Sequence, residues 1–173
     1  MTAAHRGRAR RGGQGPAAAD RALACAPVRR LALDPPLDPA AYRFTHDVRA
    51  RFAETDAMGV VHHAAYFVWL EEARIAFLRS TGRPYETVRA EGLELAVLEA
   101  FAAYRKPLRF DEVVRIHMLF GELTTATFQI AYLLTVEGEA RATAVTVHGC
   151  ISPSGVPTRV PPWLRALAAP AGA

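Results

Sequence analysis

From Ala64 to Ser80 the chain runs seventeen residues without glycine or proline, and hardly any face of that segment is polar. Tyr66, Leu70, Ala73 and Phe77 recur at helical spacing, and Phe67, Val68, Trp69, Ile75, Ala76 and Leu78 make most of the remaining surface apolar too. Gly82 and Pro84 stop the helix. A helix that is apolar nearly all round must be enclosed by other elements. A bilayer does not fit that description: the longest apolar run here, Ala64 to Leu70, is closed by Glu71 and Glu72, far short of the ~18 residues a span needs.

The enclosing elements read as strands. Upstream, Phe44, His46, Val48, Ala50 and Phe52 alternate with Thr45, Asp47, Arg49 and Arg51 in the period-two pattern of a half-buried strand. Downstream of a short turn of helix at Tyr85–Ala90, Leu93 to Tyr104 alternates loosely. Val114, Ile116, Met118 and Phe120 then mark one face of a strand, and Phe128, Ile130, Tyr132, Leu134 and Val136 one face of the next. Glu137-Gly138 is a hairpin signal leading into the alternating Glu139 to Ile151, after which come a Pro153–Gly155 turn and a short apolar segment, Trp163 to Leu167. Successive hairpins make the sheet antiparallel. The expected class is α+β: a curved antiparallel sheet of about five strands wrapped round one long central helix. The alanines at 140, 142 and 144 would let the last strand approach that helix closely.

Up to about Pro39 the composition changes to Arg, Ala, Gly and Pro with few large apolar residues, which cannot offset the entropy of ordering. Residues 1–41 are therefore expected to be a disordered tail or an over-long start, residues 42–168 the domain, and 169–173 a C-terminal tail. Arg10-Arg11 is not followed by the apolar stretch of an export signal. Seven of the chain's arginines and only Asp20 among its acids fall in residues 1–30, so that stretch carries +6 against a whole-chain net charge of +4, and residues 31–173 carry −2. That mildly acidic remainder lacks the basic surface that nucleic-acid binding requires. Cys25 and Cys150 are too few and too far apart for a disulfide framework, which fits a reducing cytoplasm.

The chemistry concentrates in Arg51 to Arg74. Asp56 lies in a loop containing Gly59, and a helix starts near His63 to Ala65. The first N–H groups of a helix lack intrahelical partners and carry the positive end of its dipole, so they can serve a developing oxyanion. A carboxylate beside such donors is the minimum needed to hydrolyse an acyl group. The same residues also fit a plain loop in which Asp56 satisfies backbone donors. The adjacent His62 and His63 invite a metal reading with Asp56. Neighbouring side chains usually point apart, however, and no third ligand stands at a diagnostic spacing, so neither metal nor cofactor is expected. His117 and His148 fall in strands and are read as structural.

Asp56-Ala57-Met58-Gly59-Val60-Val61-His62-His63, followed by Tyr66 and by Glu71-Glu72-Ala73-Arg74, resembles the signature of the 4-hydroxybenzoyl-CoA thioesterase family in its YbgC-like acyl-CoA thioesterase branch. The likeness runs from about Phe44 to Pro153 and includes Tyr104 to Asp111. It implies a hotdog fold and hydrolysis of an acyl-CoA. Asp56 would be nucleophile or general base, and the His63 N–H would polarise the thioester carbonyl. The His63 side chain would orient the carboxylate or water, or else contact a partner subunit. Gly59 would let the loop turn close to the acyl group, with Val60 beside it, and Tyr66 would line the acyl pocket or simply belong to the core. One of Glu71 and Glu72 would pair with an arginine. CoA phosphates would meet Arg105, Lys106 and Arg109, which otherwise form a solvated turn. Relatives more often carry Tyr or Phe where this chain has His62. The resemblance also implies a homodimer with sites between subunits, or a homotetramer. Two alternatives remain: a thioesterase for acyl groups on a carrier protein, and a non-catalytic module that binds acyl-CoA. A hotdog hydratase lacks its His and acid pair here.

Overall fold

A computed structural model describes residues 34–168. Most of the expected N-terminal tail, Cys25 and the C-terminal 169–173 lie outside the described residues. The described chain enters through a 3-10 turn at Pro39–Ala41 and Tyr42, whose hydroxyl donates to Pro36 O at 2.8 Å.

Five strands follow in the order anticipated: β1 (Phe44–Arg49), β2 (Glu94–Tyr104), β3 (Val113–Leu123), β4 (Thr127–Val136) and β5 (Glu139–Ile151). The helices are α1 (His63–Ser80), α2 (Tyr85–Ala90) and α3 (Pro162–Ala168). All strand pairs are antiparallel, in the order β1-β3-β4-β5-β2, so β1 and β2 are the edges. At the β4–β5 hairpin Glu137 and Gly138 both have positive φ, 51° and 81°, as the turn matching strand twist requires.

The concave face carries the predicted stripes. Ile116 and Met118 of β3, Phe128, Ile130, Tyr132 and Leu134 of β4, and Ala142 and Ala144 of β5 share one core with Tyr66, Trp69, Leu70 and Ala73 of α1. Leu70 and Ala73 are wholly buried against that face. α1 ends in a Schellman arrangement: Arg83 N–H donates to Leu78 O and Gly82 N–H to Arg79 O, each at 3.1 Å, with Gly82 at φ 74°.

Three expectations need correction. The first strand stops at Arg49; Phe52 instead opens a 3-10 turn, Phe52–Glu54, and is 75% exposed, its ring edge-on to Phe110. Ala140 departs from Ala142 and Ala144: it packs in a small second cluster with Tyr42, Ala131 and Leu133, because the pairing shifts register between Leu134 and Thr135. Nor is α1 enclosed on all sides. Val68 is 58% exposed, and Phe67, Ile75 and Ala76 are only half-buried. One sheet can cover only one side of a helix, so within a single chain the far side is open. No helix of the described residues is long and apolar enough to cross a membrane.

Candidate active site

Between β1 and α1 the chain makes a loop fastened at both ends. The Glu54 carboxylate accepts from the Arg51 amide at 2.8 Å and from the Trp69 indole N–H at 3.0 Å, tying the loop's first residues to α1. Thr55 and Val61 bridge each other, and the buried Val61 donates its N–H to Leu108 O at 2.8 Å. Residues 56–60 reverse the chain between these points. Asp56 N–H donates to Val60 O and Gly59 N–H to Asp56 O, each at 2.9 Å, while Asp56 Oδ1 accepts from Met58 N–H at 2.8 Å. Gly59 sits at φ 72°, a conformation that explains the glycine. One carboxylate oxygen of Asp56 is thus spent on an Asx turn, and Oδ2 has no bonded donor among the described residues.

His62 caps α1 and decides which of its first amides stays available. Its Nδ1 accepts from Ala64 N–H at 3.2 Å, and its carbonyl accepts from Ala65 N–H at 2.9 Å. The N–H of His63, the first helical residue, has no acceptor among the described residues. An open depression of about 350 Å³ lies at this helix start, lined by Asp56, Val60, His63, Tyr66, Tyr104, Arg105 and Lys106 among others.

Six of the eight residues selected from sequence therefore come together. Gly59 shapes the loop without lining the depression. Arg109 lies off it: its amide donates to Glu112 Oε2 at 2.7 Å, and it is exposed on the turn beyond Leu108. Arg105 and Lys106 sit at the rim, their amides both donating to Arg141 O, and Lys106 is ion-paired with Glu139. Tyr66 lines the depression while only 3% exposed in the core. Burial, followed by the neighbouring Tyr104, pushes its phenol up to about 12, so it stays protonated at neutral pH.

Two further residues, Tyr104 and His62, meet the helix start without having been selected as site residues. Tyr104, at the end of β2, reaches across to donate its hydroxyl to His63 O at 3.3 Å and packs edge-on to Tyr66, centroids 4.8 Å apart. Nothing local marks it, because the contact spans 41 positions. His62 was legible as the polar residue before the first helical position, where caps are found. Its ring does not point away from His63 as neighbours usually do: the two lie 4.1 Å apart and 36° from parallel. No cluster of three or more His, Cys, Asp or Glu side chains suited to a metal occurs among the described residues. Glu72 pairs with His46 at 3.1 Å. His117 and His148 bond strand threonines, to Thr135 at 3.0 Å and Thr146 at 2.7 Å.

A second cavity, about 200 Å³, lies between the latter half of α1 and the sheet, lined mainly by Ile75, Phe77, Leu95, Val97, Phe120 and Phe128, with Glu71, Arg74 and His148 as its polar residues. It shares no lining residue with the depression at Asp56.

Residues 50–167, which carry the loop, α1 and β2–β5, match the profile of the Thioesterase-like superfamily. This chain belongs to that superfamily. A putative esterase of Aquifex aeolicus is 43% identical over 118 residues, covering 68% of this chain and 91% of the relative. YneP of Bacillus subtilis, a putative acyl-CoA thioesterase, is 30% identical over 106 residues, 61% of this chain and 77% of its own length. The crystal structure of a hypothetical protein from Aquifex aeolicus superposes with a TM-score of 0.70 at 39% identity, covering 73% of this chain and all of the other. The fold of this thioesterase-like chain is accordingly the hotdog, and its class of chemistry is thioester hydrolysis.

Proposed function

We propose that the protein hydrolyses an acyl-CoA to the free acid and CoA at the depression containing Asp56. The observation that carries this reading is the meeting, in one depression, of a carboxylate with a free oxygen and the first amide of α1, that of His63, which has no acceptor among the described residues. In the water route Asp56 takes a proton from water as the oxygen adds to the thioester carbon, and the His63 N–H receives the charge on the carbonyl oxygen. The C–S bond then breaks, and the thiolate leaves as CoA once protonated. In the nucleophilic route Asp56 itself attacks the thioester carbon, and the C–S bond breaks to release CoA as thiolate, which is then protonated. Water hydrolyses the resulting mixed anhydride back to the Asp56 carboxylate and the free acid. The His63 imidazole orients the carboxylate or water. Arg105 and Lys106 at the rim face the CoA phosphates. Following thiol release across short, long and aromatic acyl-CoAs tests the assignment. Asp56→Ala is expected to reduce kcat by at least 10², and an unchanged rate would remove Asp56 from the mechanism. Thiol release from carrier-protein thioesters alone would move the substrate to that carrier, and ligand-induced stabilisation without thiol release would indicate a binding module.

The assembly we propose is a homodimer through β2, with a homotetramer as its extension. β2 is an eleven-residue edge strand with Val97 51% and Phe101 58% exposed, and Val68 on the open side of α1 is 58% exposed as well. A two-fold axis through that edge would bring the Tyr104 end of one copy beside the Val97 end of the other, and so the Asp56 depression beside the partner's apolar cavity. A cytoplasmic location, resting on cysteine usage, and domain limits of 42–168 are proposed with it; cell fractionation and limited proteolysis test these two.

A further inference from the structure

We infer that Tyr104 and His62 are positioning residues that clamp a single peptide plane, His63–Ala64, and thereby hold the His63 amide free and aimed into the depression. The peptide's oxygen accepts from the Tyr104 hydroxyl at 3.3 Å and its nitrogen donates to His62 Nδ1 at 3.2 Å. Both bonds are long, as site hydrogen bonds often are before substrate tightens them. Two further contacts hold the clamping groups themselves. The Tyr104 ring is braced edge-on against the buried Tyr66, and the His62 ring lies against His63.

The consequence is selective. Of the first three amides of α1, His62 occupies two, one through its ring and one through its carbonyl. The remaining donor belongs to the peptide just before the clamped one, so its direction follows from the plane that Tyr104 and His62 fix. Tyr104 also joins the end of β2 to the start of α1, and its neighbours Arg105 and Lys106 are anchored on Arg141 O at 2.8 and 3.0 Å. The helix start is thereby referenced to the sheet rather than to the loop alone. His62 suits the task because its ring nitrogen reaches the second helical amide, which a Phe or Tyr ring in its place would leave without that acceptor.

This inference rests on the thioesterase reading for its kinetic consequence and on geometry for the rest, so the test has two arms. Tyr104→Phe removes the hydroxyl and keeps the ring; His62→Phe removes the acceptor; His62→Asn restores an acceptor at the cap. In the first arm, kcat with the best acyl-CoA is expected to fall about 10-fold in each of the first two variants, with KM within about twofold, as for misplaced rather than missing groups. His62→Asn is expected to recover most of kcat, which a merely structural loss would not. Because both groups act on one peptide, the double variant should lose less than the product of the single losses. In the second arm, amide exchange at Ala64 is expected to accelerate in His62→Phe irrespective of any activity. Wild-type kcat in both single variants, or unaltered Ala64 exchange in His62→Phe, overturns the clamp. A wild type inactive on every thioester while Ala64 exchange responds sinks the thioesterase reading and leaves the clamp standing.

Discussion

Replacing Glu54 by alanine tests whether the candidate site is held in place by a carboxylate that itself takes no part in catalysis. The Glu54 side chain is 9% exposed and accepts from the Arg51 amide, the Arg51 guanidinium and the Trp69 indole. Trp69 is 2% exposed, so its N–H would be stranded in the core at about 1–3 kcal/mol. Losing the bond to the Arg51 amide, a cap-like contact, adds about 1 kcal/mol. The guanidinium contributes little, since Arg51 is 71% exposed and solvent screens the pair. The sum is about 2–4 kcal/mol, or roughly 6–12 °C in Tm for a domain of this size. Thermal melts followed by Trp fluorescence measure it. Trp69→Phe should cost less and should couple to Glu54→Ala by about 1–2 kcal/mol in a double-mutant cycle. The acid limb carries the same signature. Burial alone would raise the Glu54 carboxyl, but the bonds from Arg51 and Trp69 outweigh it and hold the group below its ordinary value. A carboxyl with a lowered folded pKa contributes stability that is present above its unfolded value, near 4.5, and is lost as pH falls below it. Glu54→Gln should therefore flatten the fall in stability in that window. A Glu54→Ala protein melting within about 1 °C of wild type, with no coupling to Trp69, would refute the reasoning.

Other outcomes follow from the same geometry. Burial, with help from Arg74, depresses His148 to about 3 from 6.5, so it is neutral in the core and costs stability as pH falls below 6.5. Urea midpoints at pH 7 and 5 should drop less for His148→Asn than for wild type, and equal drops would place the acid sensitivity elsewhere. Gly59→Ala should cost about 1 kcal/mol from its positive φ alone, because no atom lies within 4 Å of the added Cβ, and Gly59→Asn should cost less. A chemical denaturation series settles that order. Phe101→Lys on the exposed β2 edge should shift the mass in solution toward the 18.8 kDa monomer, and light scattering that still finds a dimer would move the interface off this edge.

The fold was legible because its signals are local. α1, the strand stripes and the Glu137-Gly138 turn are written in periodicity and in residues that tolerate positive φ, and each needs only a few neighbours to interpret. The site was legible in part. Asp56, Gly59 and the start of α1 lie within one short stretch, so a loop carboxylate beside free amides could be anticipated. Arg109 was grouped with Arg105 and Lys106 for its charge, but the chain turns at Leu108, whose carbonyl takes the Val61 amide, and carries Arg109 off the depression.

Sequence alone determined which segments would be helix and strand, which faces would be apolar, and where an acid would precede a helix. Tertiary structure decided what those segments do to one another. It placed Tyr104 on the carbonyl of His63 and Glu54 on the indole of Trp69, and it left β2 and one side of α1 uncovered. The reason is range. Periodicity records the backbone's choice within a turn or a pleat, whereas a hydroxyl meeting a peptide 41 residues away depends on register, twist and packing that no window of the chain contains.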